Sequence, residues 1–355
     1  MKANIETASL THALGAVKAA VSTQRPFVQL EVGDTLAVRA DNLDLGVEAT
    51  VPLEGRSRKG KILVPHRPLA DFISKADGTH VELVLDDDML TCQDGGASLA
   101  LASVSDDWFP HRPPADDHGT PLDEEGWARV RGLTEFCATE SSKGPLTGVL
   151  FADGEAVATD AYSLAAVTHP FGITGVMPAS IIKAMPSDVS SVLVRGGAGV
   201  IELVSDNVRV TTAALAGDFP NWRQAIPESK VATVTVGTVA LSKAVDRASV
   251  LAKDAAGRSG RMIRVYPEDG SMVVESIPDS EKGDARSIVS EVIAAEIEGE
   301  WGYHFGLGTG QVGSLGAILG KPDEVSLELH GPATPVTVTT EDVFVLIAVI
   351  RVGQQ

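Results

Sequence analysis

The sequence predicts an α+β fold made of three copies of one unit. Three observations carry that prediction: two long segments that echo each other, a weaker third copy that runs to the C-terminus, and an amphipathic helix followed by alternating strands at the start of each copy. The segment SDDWFPHRPP is echoed by AGDFPNWRQAIP, placing Pro110 and Pro220 110 residues apart. Upstream, the stretch around Pro65 is echoed by the stretch around Pro178, 113 residues later. The third copy lacks the Asp-Phe-Pro ending, as expected of a linker with no following unit.

The elements follow in order. The opening helices are read from Leu10, Leu14, Val17 and Val21, then Trp127, Val130, Leu133 and Cys137, then Leu241, Val245, Ala248 and Leu251. These spacings place one apolar stripe on each helix. Strand alternation follows at 28–40 and 148–160, with hairpin signals at Gly33–Asp34, Asp153–Gly154 and Asp269–Gly270. A short second helix is predicted in each copy, near 68–76, 179–185 and 311–319, before more strands. Boundaries fall in the Pro-rich stretch PHRPPADDHGTP and near IPESK, giving units 1–118, 119–229 and 230–355.

Composition agrees. The chain has 355 residues, enough for two domains of ordinary size or three small ones. With 44% apolar residues it can bury substantial cores. Its 29 basic and 48 acidic side chains give a net charge of −19, which disfavours an outer surface that adheres to nucleic acid or anionic lipid. A basic patch on one concave face remains compatible with that charge. Two cysteines cannot form a disulfide framework, and no apolar run reaches membrane-spanning length. The N-terminus MKANIETASLTH lacks the apolar stretch of a secretory signal, so a soluble cytoplasmic protein is expected.

Few motifs point to catalysis. Gly308 to Gly313 spells a dinucleotide-type glycine pattern, but the next strand, VSLELHG, ends without the acidic residue that holds a ribose. Asp116, Asp117 and His118 sit in the Pro-rich linker and read as solvated, and no metal site is expected. The basic residues are more informative. Lys18, with Arg25 just beyond, lies opposite the first leucine stripe. Arg129 and Arg131 lie off the second stripe, and Lys243 and Arg247 form an i, i+4 pair on the third. The short helices add Arg67, Lys75, Lys183 and Lys321. Spacing alone leaves two readings open: a positive concave surface, or the ordinary charged face of a surface helix.

Order and spacing resemble a known family. Leu146-Thr147-Gly148-Val149-Leu150-Phe151, Val157-Ala158-Thr159-Asp160 before Leu164, and Gly217-Asp218-Phe219-Pro220-Asn221-Trp222-Arg223 resemble the bacterial DNA polymerase III beta subunit, the DNA sliding clamp. The resemblance spans essentially the whole chain and suggests a divergent member. It implies three clamp domains per chain and a head-to-tail homodimeric ring, with helices lining the hole and antiparallel sheets outside. It implies a non-catalytic processivity factor with no cofactor, encircling double-stranded DNA without sequence preference. Implied partners are the polymerase III alpha subunit, the clamp loader and repair polymerases, held through short peptide motifs, with a nucleoid-associated location.

The resemblance also implies site residues. The peptide pocket would be walled by Leu146, Thr159, Tyr162, Leu164, Pro220, Gln224 and Ala225, and closed by Pro335, Val345, Ile347 and Val349. The lumen would carry Lys18, Arg25, Arg67, Lys75, Arg129, Arg131, Lys183, Lys243, Arg247 and Lys321. Ring closure would use Leu99 and Leu101 on one side and Val250 and Leu251 on the other. Three departures suggest altered peptide preference. The family's Thr-Asp-Gly-His-Arg-Leu turn reads Thr159-Asp160-Ala161-Tyr162-Ser163-Leu164 here, a basic wall residue is Gln224, and the C-terminal Met-Pro-x-Arg-Leu is replaced by Ile347-Ala348-Val349-Ile350-Arg351-Val352. The C-terminal register is open by one residue. A cofactor-binding enzyme using Gly308 to Gly313 and a DNA-independent repeat scaffold are the alternatives.

Overall fold

The alternating and helical patterns become one element order, β-α-β-β-β-β-α-β-β-β, three times over. The computed structural model describes residues 1–104, 119–186, 189–197, 199–252, 261–277 and 287–350. The first copy comprises β1 (Lys2–Glu6), α1 (Thr7–Val17), β2 (Phe27–Val32), β3 (Leu36–Asp41), β4 (Leu45–Val51), an added β5 (Glu54–Arg58), β6 (Gly60–Pro65), α2 (His66–Ile73), β7 (His80–Asp86), β8 (Met89–Asp94) and β9 (Ala97–Ala102). The second comprises β10 (Gly119–Asp123), α3 (Glu124–Leu133), β11 (Gly148–Ala152), β12 (Glu155–Thr159), β13 (Leu164–Thr168), β14 (Gly175–Pro178), α4 (Ala179–Ala184), β15 (Ser191–Gly197), β16 (Val200–Val204) and β17 (Val208–Ala213). The third comprises β18 (Ala232–Gly237), α5 (Thr238–Ser249), β19 (Met262–Glu268), β20 (Ser271–Ser276), β21 (Ser290–Gly299), β22 (Phe305–Gly308), α6 (Thr309–Ile318), β23 (Glu324–Leu329), β24 (Val336–Thr339) and β25 (Val343–Ile347).

The ladders among the described strands, such as β11–β12, β17–β4 and β2–β6, are antiparallel, so alternation buries one side of each strand. Three sheets result, with orders β5-β1-β7-β8-β9, β10-β15-β16-β17-β4-β3-β2-β6 and β14-β11-β12-β13-β25-β24-β23-β18-β21-β20-β19-β22. The chain divides into two compact units, Met1–Pro121 with Lys183–Ala214, and Leu122–Ile182 with Leu215–Gln355. This partition differs from the sequence repeats for a definite reason. The ladder β17–β4 ties the end of the second copy to the first, while β13–β25 ties its beginning to the third. Hydrogen bonds and buried side chains cross the repeat boundaries.

The opening helices form over the predicted stripes but stop early. Val21, Cys137 and Leu251 lie beyond the ends of α1, α3 and α5. On α3 the N-cap Asp123 accepts from the Gly126 amide at 2.8 Å, and Glu124 and Glu125 complement the helix dipole. In the second unit α6 packs against both α3 and α5. The α3–α6 approach depends on Gly132, where an added Cβ would lie 2.5 Å from Ile318 Cγ1. Cys92 and Cys137 are buried free thiols, and burial pushes Cys92 up to about 12, so it stays protonated. Among the described residues no helix is long and apolar enough to cross a membrane. The boundary at PHRPP, with Asp116, Asp117 and His118, lies outside the described residues.

Arg129 is a bridge in this fold. Its guanidinium donates to Asp342 Oδ2 at 2.5 Å and to Glu125 Oε1 at 2.8 Å, pinning α3 to the turn before β25. The hydrogen bond from Arg129 holds the Asp342 carboxyl below its ordinary range. The native state therefore favours the ionised carboxylate. That contribution is present above about pH 4, the unfolded value, and is lost as pH falls through the lower folded value. Asp342→Asn is expected to be less stable than the parent at pH 6, with the gap closing by pH 3 in urea titrations. Because Asp342 is half exposed, the gap should be small.

Candidate partner-binding face and open strand edges

The β12–β13 turn is built by local side-chain hydrogen bonds. Asp160 Oδ1 accepts from the amides of Tyr162 (2.8 Å) and Ser163 (2.7 Å), while the Thr159 hydroxyl donates to Ser163 O at 2.7 Å. Ala161 takes a φ of 78°, a left-handed conformation that glycine adopts without strain. Ser163 Oγ accepts from the Ala348 amide at 3.1 Å, fastening this turn to the end of β25.

That fastening fixes a register. Leu164 lies opposite Leu346, and Ala166 opposite Phe344. Val157, Leu164, Ala166 and Leu346 form one buried cluster, with Leu150, Phe219, Trp222 and Phe344 half-buried against it. Trp222 stacks on Phe344 at a ring-centroid distance of 6.1 Å, and the Arg223 guanidinium lies 4.4 Å from the Trp222 ring centre. Arg223 also pairs with Glu155.

The sequence-predicted wall residues divide against this geometry. Leu164 is in the cluster, and Thr159 lies opposite it in the ladder. Pro220, Gln224 and Ala225 are exposed on the segment that supplies Phe219 and Trp222. Tyr162 stands 57% exposed at the turn. Leu146 is half-buried in the 3₁₀ segment whose Pro145 adjoins Gly217. Pro335 is half-buried just ahead of β24, and Val349 is half-buried beyond β25. Val345 and Ile347 alternate onto the other face of β25, 0% and 1% exposed, while Phe344 and Leu346 lie on the face of the cluster. Phe219 and Trp222, from the motif at 217–223, pack against the same cluster.

The first copy shows why this row stands out. Counting outward from equivalent turns, Gln29, Arg39, Glu48 and Arg209 occupy the ladder positions of Leu150, Val157, Ala166 and Phe344. There Arg39 is ion-paired to Glu31 and Glu48. Burial works against its charge, yet those carboxylates raise its pKa above the ordinary value. One frame thus carries a satisfied charged row in one copy and an apolar row in the next. The apolar row is therefore not a requirement of the fold.

The strand edges left open among the described residues include those of β9 and β21. The outer edge of β9 has no partner, nor does β21 over Ser290–Ala294 on the side away from β20. Leu99 and Leu101 of β9 are half-buried, and Val292 of β21 is 59% exposed. Counted from the preceding hairpins, Leu99 and Leu101 match Val210 and Thr212 of β17 and Val345 and Ile347 of β25, all of them buried. Those strands are covered by β4 and β13. Val250 and Leu251 follow α5, 68% and 39% exposed.

Of the expected lumen cations, Lys18, Arg67, Lys75, Lys183, Lys243, Arg247 and Lys321 are exposed, while Arg25, Arg129 and Arg131 are half-buried. Arg247 pairs with Glu291 at 2.8 Å and Arg67 with Asp71 at 3.6 Å. In the glycine pattern at 308–313 a side chain of the pattern itself packs over the first glycine. Gln311 is 1% exposed and folds over Gly308, where an added Cβ would meet its Oε1 at 2.1 Å. Its Nε2 donates to Glu135 O at 3.2 Å.

No protein-family profile matches the chain. The Beta sliding clamp of Vibrio cholerae is 24% identical over 287 residues, covering 75% of this chain and 74% of the relative. That of Caulobacter vibrioides is 24% identical over 335 residues, covering 84% and 86%. The crystal structure of the DNA polymerase sliding clamp from Bacillus subtilis superposes with a TM-score of 0.78 at 21% identity, over 99% of this chain and 100% of that one. The fold expected from the resemblance is the fold observed.

Proposed function

We propose that this chain, a divergent relative of the beta sliding clamps, works as a DNA sliding clamp. Two copies join head to tail and hold duplex DNA inside a ring while partner proteins dock on its outside. The observation that carries this reading is the apolar row at Leu150, Val157, Ala166 and Phe344, set where the first copy has an ion-paired row.

The unit reading of 1–118, 119–229 and 230–355 follows, each with two helices on the DNA side. Exposed Lys18, Lys75, Lys183, Lys243 and Lys321 line the hole, with Arg67 and Arg247 beside them. A ring holds DNA by enclosure, so these few cations suffice in a chain of net negative charge. The chain's part is non-catalytic. Short peptides from the polymerase, the clamp loader and repair polymerases anchor two or three apolar side chains on the Trp222–Phe344 platform, each gaining roughly 1.5–3 kcal/mol. Ordering costs offset part of that and leave micromolar binding, so partners exchange.

The ring closes where β9 of one copy adds to the open edge of β21 of the other. The register that joins β17 to β4 and β25 to β13 would set Ser98 opposite Val292 and Leu101 opposite Val289. Loading on a nicked circle with a clamp loader, followed by linearisation, tests the reading. A clamp is retained on the circle and lost from the linear product. A protein never retained, or retained equally on both, would refute it.

A further inference from the structure

Strand β5 interrupts the acidic character of the chain. All five of its residues are exposed, and Arg56, Arg58 and the following Lys59 crowd three cations into four positions of a chain with net charge −19. It is an edge strand of its sheet, paired among the described residues to β1 alone. Its acidic residue, Glu54, engages His80 at 2.8 Å. Nearby Lys61 is different, because it lies opposite Glu31 across the β2–β6 ladder.

The fold does not demand this charge. In the third copy the far half of β21 pairs with β18 much as β5 pairs with β1, and there the exposed side chains are Glu296 and Glu298. The same place in the repeat carries opposite signs. Protection of a strand edge is also an insufficient reason, because β5 is already bulged. Its register against β1 shifts between Lys2 and Asn4, and Gly55 takes a φ of 69°. A bulge alone blunts an edge. The same bulge disfavours addition of an acidic peptide as a further strand, since it breaks the ladder such a peptide would extend. What remains is contact through side chains. Arg56 and Arg58 lie two residues apart on this exposed strand, roughly 7 Å at about 3.4 Å per residue. Phosphates on one strand of duplex DNA advance by about 3.4 Å along the axis, so two forked guanidiniums and an ammonium can each take one.

We propose that Arg56, Arg58 and Lys59 form a contact strip for the phosphate backbone of duplex DNA, separate from the helix-borne cations. The strip needs no ring, so it is tested on a short linear duplex without a loader, by fluorescence anisotropy between 50 and 200 mM salt. The variant R56Q/R58Q/K59Q is expected to bind at least tenfold more weakly at the lowest salt. The slope of log K against log salt should fall by about 2.7, or 0.9 per lost phosphate contact. Because Arg58 also donates to Leu85 O at 3.3 Å, the variant R56Q/K59Q keeps that bond and should lose a slope of about 1.8. K243Q/R247Q serves as the comparison for cations on a helix. No measurable duplex binding by the parent, or an unchanged slope in both strip variants, would overturn the proposal. So would a loss of polyglutamate binding with DNA binding intact, which would make the occupant an acidic peptide. Retention on a nicked circle reads the ring separately, so either idea can fail alone.

Discussion

Trp222→Ala is expected to weaken capture of a fluorescein-labelled consensus clamp-binding peptide by roughly 30-fold, about 2 kcal/mol, the scale of an interface hot spot. Leu164 faces Leu346, and this pair with Val157 and Ala166 is already dry, so a peptide side chain meets an apolar floor. Trp222 is half-buried against this cluster, and its stacking on Phe344 would give an incoming side chain a flat aromatic partner. Truncating it leaves the floor and removes the wall. Phe344→Ala should act in the same direction. Arg223→Ala should have a smaller effect, because its charge is already matched by Glu155. The thermal midpoint of Trp222→Ala should stay within a few degrees of the parent, which separates a lost contact from a lost fold. Equal affinity of parent and variant would place the docking face elsewhere. An ordinary affinity in the parent would count against altered preference, despite Ala161, Tyr162, Ser163 and Gln224.

Leu101→Asp is expected to turn a dimer into a soluble monomer, weakening association by roughly 100-fold or more, about 3 kcal/mol. Leu101 is half-buried at an edge whose counterparts in the two other copies, Thr212 and Ile347, are covered by a neighbouring strand. A carboxylate there would lose its water on pairing with no partner charge to compensate. In the free chain it can turn to solvent, so the monomer should fold. Light scattering reads the outcome directly, and a variant of dimeric mass would defeat the assignment. Leu251→Asp should weaken the dimer less if β9 and β21 carry the junction, since Leu251 lies outside both strands. A positive test of register accompanies it. Ser98→Cys with Val292→Cys should give a covalent dimer on mild oxidation, because residues opposite in an antiparallel pair have Cα atoms about 4.5–5.5 Å apart, inside disulfide reach. A cross-link formed equally well by Ser98→Cys with Ile293→Cys would argue for a slipped register.

Much of this architecture could be read from residues alone. The apolar stripes on α1, α3 and α5 and the hairpin turns at Asp153–Gly154 and Asp269–Gly270 are short-range signals, and each became the expected element. The repeat, too, is a property of order along the chain. Side-chain direction on β25 was not legible. Val343 to Ile347 is apolar at every position, so the run itself cannot say which residues face which way. The Ser163–Ala348 hydrogen bond and the Leu164–Leu346 pairing decided it. The role of Arg129 was equally hidden, because Asp342 lies 213 residues away in sequence. The packing of the Gln311 side chain over Gly308 was likewise not legible.

Local propensity and periodicity act within a few residues, and for this protein they determined the helices, the hairpins and the threefold repetition. Which strands share a sheet, which side of an all-apolar strand meets a partner, and which cations are free or tied are set by contacts between distant segments. Only the folded chain brings those segments together.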